Sequence, residues 1–199
     1  MDWIYRDLAL VRRTIEECRA GETSVHYQPG HPHGFHTHIY MGEVHLCVPL
    51  HDAEGVLEYL KSLTEPYPPP LKRALIRAHL WEARSALDTC HSSAKRGDAF
   101  YVAGCLFRCA ACMSQTLFAL NERYLINEKG SVEVVDRLPL RPAGFAQTVG
   151  SVLASLGKSA EQLESSVCRF EELVKAAERL VGLTDPAPSH PVSRVRNQR

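Results

Sequence analysis

Four prolines, Pro66, Pro68, Pro69 and Pro70, fall within seven residues of this chain. Proline fixes φ and has no backbone N–H, so neither a helix nor a central strand runs through such a segment. The chain therefore divides at residues 64–70, the best domain boundary in the sequence, into residues 1–64 and 65–184. Beyond the prolines the pattern is helical throughout. Residues 71–95 place Leu75, His79, Leu80 and Leu87 on an inward face, and Gly97-Asp98 breaks the run. Residues 99–126 carry Val102, Leu106, Cys109, Met113, Leu117, Leu120 and Tyr124 three or four apart. A connector with Pro139 and Pro142 follows, then helical patterns at about 143–156 and 159–182. The last of these holds Leu163, Val167, Phe170, Val174 and Leu180. Four antiparallel helices with short connections predict a four-helix-type bundle. The fold class is mainly α, with a smaller mixed α/β part in front.

That front part is more varied. Residues 7–20 read as a helix, with Leu8, Val11, Ile15 and Cys18 at helical spacing and Gly21 as a stop. Residues 22–42 read as loop, because Pro29-Gly30-His31-Pro32-His33-Gly34 is turn chemistry. Residues 46–50 read as a short strand that Pro49 confines to an edge or an end. Asp52 caps a helix expected at about 53–63, with Val56, Leu57 and Leu60 on one face. The first five residues alternate as a strand that carries one acidic side chain, Asp2. A strand needs a partner for its backbone groups, so residues 1–5 are expected to sit in a sheet or to offer an exposed edge for self-association.

Hydrophobic residues make up 45% and charged residues 23% of the 199, which suits a globular protein. Formal net charge is zero, so composition supports neither a nucleic-acid partner nor a membrane surface. No apolar run reaches the roughly 18 residues of a membrane span. Charges at Asp2, Arg6 and Asp7 argue against a signal peptide. Seven cysteines, mostly within apolar helical patterns, read as reduced thiols of a cytoplasmic protein. Residues 185–199 hold three prolines and three arginines and read as a disordered basic tail.

Three constellations could carry chemistry. Seven of the ten histidines lie between positions 26 and 51, and His31, His33, His36 and His38 fall within eight residues. Imidazole ligates zinc, nickel or copper, so this is a candidate metal cluster. It equally reads as a polar binding loop, or as plain surface histidines. Cys109 and Cys112 form C-x-x-C, but on an amphipathic helix, where packing explains them. The second constellation ends the apolar helix in Asn121, Glu122 and Arg123, followed by Asn127-Glu-Lys-Gly130. Lys129 either faces a cleft and meets an anion or is a cation near a helix end. The third runs from Arg96 to Arg108, with Asp98 as a helix N-cap. Arg108 is paired or faces a cleft. Glu82 beside Trp81 is a candidate base or the partner of Arg108.

Residues 2–182 resemble bacterial nucleotidyltransferase-domain proteins of the polymerase-beta-like superfamily, which includes the kanamycin and lincosamide nucleotidyltransferases. The resemblance is carried by Tyr27-Gln-Pro-Gly-His-Pro-His-Gly-Phe35, Ile39-Tyr-Met-Gly-Glu43, Leu80-Trp-Glu82, Arg96-Gly-Asp98, Tyr101-Val-Ala-Gly-Cys-Leu-Phe-Arg108, Leu117-Phe-Ala-Leu-Asn121 and Asn127-Glu-Lys-Gly130. It implies a mixed-sheet catalytic domain, of which residues 1–64 would be the C-terminal remnant, followed by the helical bundle. It implies transfer of a nucleoside monophosphate, AMP from ATP, to a hydroxyl of a small acceptor, with Mg²⁺ on the triphosphate. It places Asp2 as a Mg²⁺ ligand, Glu82 or Asp98 as general base, and Lys129, Arg108 and Asn121 toward the nucleotide. His31, His33, His38 and Glu43 would line the cleft. The sequence departs from the family in lacking the G-S element followed by D-x-D, which supplies two of the three metal-binding carboxylates. On that reading Met1 is a misplaced start or a truncation point, and this chain alone is inactive or nearly so. The alternatives are a non-enzymatic helical interaction module and a histidine-rich metal-binding protein.

Overall fold

The computed structural model describes residues 5–184. Asp2, most of the expected opening strand and the basic tail lie outside the described residues. Helix α1 (Leu8–Arg19) starts where the Asp7 carboxylate accepts a hydrogen bond from the Leu10 N–H at 2.7 Å, and it buries Val11, Ile15 and Cys18. Two antiparallel strands follow, β1 (Val25–Gln28) and β2 (His31–His36), turned at Pro29-Gly30. Gly30 has φ of +86°, a value that costs glycine little and other residues much. The open end of this hairpin is tied by Thr37, whose N–H donates to the Ser24 carbonyl and whose Oγ1 accepts from the Ser24 N–H, both at 3.0 Å.

Helices α2 (Ile39–Leu46) and α3 (Val56–Ser62) complete the front part. The back part contains α4 (Pro69–Lys95), α5 (Ala99–Leu120), a short α6 (Ser131–Val135), α7 (Phe145–Ala154) and α8 (Ala160–Thr184). Helices α4, α5, α7 and α8 form the expected four-helix bundle, and the fold is mainly α with a small sheet near its start. α5 lies at its centre, against α4, α6, α7 and α8, and buries every side chain from Cys112 to Leu120. One apolar cluster runs from Val11 and Met41 through Leu71 and Leu106 to Phe170 and Ala177, so the front part packs on the same core as the bundle. α5 is long and apolar enough to cross a membrane by length and hydropathy, and 67% of its most apolar window is buried within the fold.

The structure departs from the sequence reading in five places, one of them the short helix α6 inside the connector that holds Pro139 and Pro142. The loop expected at residues 22–42 contains the hairpin and the first turn of α2. The strand expected at residues 46–50 is absent. Leu46 ends α2, and the Lys61 ammonium donates to the carbonyls of Val44, His45 and Cys47, which ends the helix and holds the chain in an irregular path. The helix expected from residue 53 begins at Val56, although the Asp52 carboxylate still accepts from the Glu58 N–H at 2.9 Å. α5 stops at Leu120 rather than 126. Glu122 takes φ of +54°, and the Arg123 N–H closes the helix end on the Phe118 carbonyl at 2.9 Å.

Candidate metal centre

Strand β2 is built around Gly34. Its φ of +94° breaks the two-residue alternation, so His33 and His36, three apart, are both buried. A Cβ at Gly34 would lie 2.6 Å from Val25 Cγ1, so the position excludes larger residues twice over. His38 follows at the start of α2 and is also buried. On the bundle side α4 supplies His79, and α5 supplies Cys112 and Gln115, all buried. The hairpin thus closes over the α4–α5 seam with His33 and His36 inward.

Four imidazoles meet there. The His36 ring is central, with its centroid 4.7 Å from that of His33, 5.1 Å from His79 and 5.3 Å from His38. His33, His79 and Cys112 each offer a donor atom, and the three lie within 4.8 Å of one another. Among the described residues this is the group of three ligand-type side chains that converges; no group of three carboxylates does.

The hydrogen bonding is incomplete in a consistent way. His38 Nε2 pairs with Gln115 Oε1 at 3.0 Å, which puts the ring proton on Nε2 and leaves Nδ1 as a bare, buried lone pair. Arg108 donates to both the carbonyl and Nδ1 of His33, at 2.6 and 2.8 Å, and His33 Nε2 has no partner. His36 Nε2 and His79 Nδ1 are likewise buried without partners. Buried polar atoms are normally satisfied, because each one left bare costs about 1–3 kcal/mol. Four orphaned nitrogens in one place call for a shared partner.

All four rings are neutral at pH 7. Burial, reinforced by neighbouring positive charge, lowers His33 to about 4, His36 to about 2 and His79 to about 3. Burial also lowers His38 to about 4, opposed by its bond to Gln115. Burial raises the Cys112 thiol well above its ordinary value, as does the adjacent Glu82 carboxylate, and Arg108 pulls the other way. Neutral imidazole is the ligating form, whereas the thiol needs a metal at hand to lose its proton.

The remaining sequence candidates divide by position. Glu82 pairs with Arg108, the bland alternative for both, and this pair links α4, α5 and β2 at the edge of the cluster. His31 Nδ1 lies 3.7 Å from Glu128 and faces Phe35 edge-on, apart from the other four histidines. Glu43 is engaged by Arg6 at 2.7 and 3.0 Å. Asp98 caps α5 by accepting from the Tyr101 N–H at 3.1 Å. Asn121 is a clamp: its amide donates to the carbonyls of Leu117 and Leu140 and accepts from the Leu140 N–H. Lys129 lines a cavity shared with His33. His79, Cys112, Gln115 and Ser114 are site residues that sequence reasoning had not assigned to it. Their signal was polar side chains on the inward faces of two helices.

Residues 40–129 match the family model described as a domain of unknown function, DUF4037. The matched stretch includes His79, Glu82, Arg108, Cys112 and Gln115, and begins just after His38. No curated protein and no solved structure matches the chain.

Proposed function

We propose that this chain is a metal-binding protein whose buried centre, His33, His79 and Cys112, takes a divalent transition metal, Zn²⁺ foremost. The observation that carries the reading is the convergence of three donor atoms within 4.8 Å among unpartnered imidazole nitrogens. Mixed nitrogen and thiolate donors suit Zn²⁺. Zn–N and Zn–S bonds of about 2.0–2.3 Å place tetrahedral ligand pairs about 3.3–3.7 Å apart, so closure requires shifts of about 1 Å. The bond from His38 to Gln115 is the kind that orients a ligating ring, which makes His38 Nδ1, with His36, a candidate for the fourth position. Arg108 donates to His33 Nδ1, so the neutral ring carries its proton on Nε2, and ligation through Nε2 requires that bond to open and the proton to move to Nδ1. A fourth ligand from His38 or His36 would close the site as in structural zinc centres, whereas a fourth position left to solvent would give the ion Lewis-acid chemistry.

The test is titration of the full, reduced chain with Co²⁺ after chelator treatment. One equivalent bound, with a thiolate-to-metal absorption band and displacement by Zn²⁺, is expected. Cys112→Ser should remove the band, and His79→Ala should weaken binding at least tenfold, as loss of a ligand does. Uptake that neither substitution alters would refute the site.

Nucleotidyl transfer is a second reading. It rests on the sequence resemblance and on Lys129, a cation at a cavity shared with a candidate ligand. An assay of Mg²⁺·ATP with hydroxyl acceptors tests it. No transfer by this chain is expected, and robust turnover would place this reading first.

A further inference from the structure

Helices α4 and α5 run antiparallel from the turn Arg96-Gly97-Asp98. Cys90 stands seven residues before Gly97 and Cys105 eight after it, so the helical hairpin brings them level across the seam. Their thiols meet there, close enough for one to hydrogen-bond the other. The two differ in exposure. Cys90 is fully buried, in the apolar core with Leu87 and Ala94. Cys105 is half-buried and forms part of the wall of a surface groove of about 580 Å³, together with Trp81, Ser85, Phe100 and Gly104. A Cβ at Gly104 would meet nothing within 4 Å, so the chain beside Cys105 is uncovered. Burial, with Cys105 alongside, raises the Cys90 thiol to about 12, so an oxidant in the groove meets Cys105 first. Cys109, one turn further along α5, is fully buried, and Cys112 belongs to the candidate metal centre.

We infer that Cys105 and Cys90 form a reversible oxidation site, in which hydrogen peroxide entering the groove converts the two thiols to a disulfide that fastens α4 to α5. The Cys105 sulfur attacks the peroxide, the O–O bond breaks, and a sulfenic acid and one water form. The Cys90 sulfur then attacks the Cys105 sulfur. The S–S bond forms, the S–O bond breaks, and hydroxide leaves with the Cys90 proton as a second water. Two thiols lose two electrons and two protons, and the peroxide is reduced to two waters. The bridge closes the short loop from residue 90 to 105 and so restricts the unfolded chain. Neither sulfur is among the three proposed metal donors, so the pair stands apart from the metal reading.

The test treats the full, reduced, metal-free chain with hydrogen peroxide under native conditions, blocks the remaining thiols and maps tryptic peptides by mass spectrometry. Trypsin cuts after Arg84, Lys95, Arg96 and Arg108, so Cys90, Cys105 and the Cys109–Cys112 pair fall on separate peptides. Residues 85–95 linked to residues 97–108 are expected, with the link lost on treatment with dithiothreitol. The urea midpoint of the linked chain should rise above that of the reduced chain. Cys90→Ala should leave Cys105 as a sulfenic acid that dimedone labels, and Cys105→Ala should give neither link nor label at Cys90. The wild-type map decides the matter if either variant folds poorly. A Cys105 that stays open to alkylation while the exposed Cys168 is oxidised overturns the inference. So does a link from Cys90 to Cys109, or one that forms only in urea. A chain that binds Co²⁺ yet never links overturns the thiol pair alone, and a chain that links yet takes up no Co²⁺ supports the pair and overturns the metal reading alone.

Discussion

The two ends of the α4–α5 pair are built by opposite rules. Toward α8 the seam holds Leu87, Ala94, Val102 and Leu106, which meet Phe170 and Val174 in an apolar core. Under the hairpin the same helices present His79, Cys112, Ser114 and Gln115, equally buried. Apolar burial stabilises by about 25 cal/mol per Å², while polar burial without partners costs. One end thus holds the fold together, and the other lowers its stability. Arg108 ties the costly end down, since its guanidinium reaches Glu82 on α4 and the His33 carbonyl on β2.

The largest test of this contrast is acid. The four buried imidazoles have pKa values lowered from 6.5 to between about 2 and 4. Above pH 6.5 they are neutral both folded and unfolded and contribute no pH dependence. Below 6.5 the unfolded chain takes up protons that the folded cluster refuses, so stability falls as pH falls toward about 4. Four such groups give a slope approaching about 5 kcal/mol per pH unit, enough to remove the stability of a typical domain within about two units. Denaturant melts of the metal-free chain from pH 7 to 4.5 are expected to collapse in this way. Zn²⁺ loading should move the collapse to lower pH, because the ion binds only the folded, deprotonated donors. A flat profile would mean that the cluster is not buried as described.

The apolar end supplies the next largest effect. Phe170 is fully buried between α8 and the α4–α5 seam. Phe170→Ala should cost about 3–5 kcal/mol, measured by urea melts, and leave Co²⁺ affinity within a few-fold of wild type. At the polar end the sign reverses. His79→Leu replaces a ring that has a bare nitrogen with an apolar side chain, and should raise the stability of the metal-free chain by about 1 kcal/mol while lowering metal affinity. Loss of stability in His79→Leu would mean that the imidazole has a partner worth keeping.

The same contrast explains what could be read from the sequence. The bundle was legible because apolar spacing of three and four carries the packing of an amphipathic helix, as Leu163, Val167, Phe170 and Val174 display. The hairpin was not, because Gly34 suspends alternation and histidines stand where a strand usually shows aliphatics. The histidine run stood out as a candidate metal cluster, but half of the candidate site was hidden. His79 and Cys112 fit a helical core pattern as well as any leucine, and only the tertiary fold brings them to residues 33–38. Arg108 and Glu82 were recognisable as a possible pair because an arginine on an apolar face needs a partner.

The smallest effect marks where the polar region ends. Glu43, a cleft candidate on sequence grounds, meets Arg6 in a bidentate pair whose side chains are about a third exposed, and the Arg6 guanidinium also lies over the Tyr40 ring at 5.0 Å. Solvent screens such pairs, and their worth is about 0–1 kcal/mol. Glu43→Gln keeps the side-chain shape and one acceptor, so it should lower stability by a few tenths of a kcal/mol at most. It should leave the Co²⁺ band and the acid profile unchanged, because none of its hydrogen bonds reaches the four imidazoles. A shifted band or a displaced acid midpoint in Glu43→Gln would extend the site through α2 to the outer surface and make the Arg6–Glu43 pair part of what orients His38.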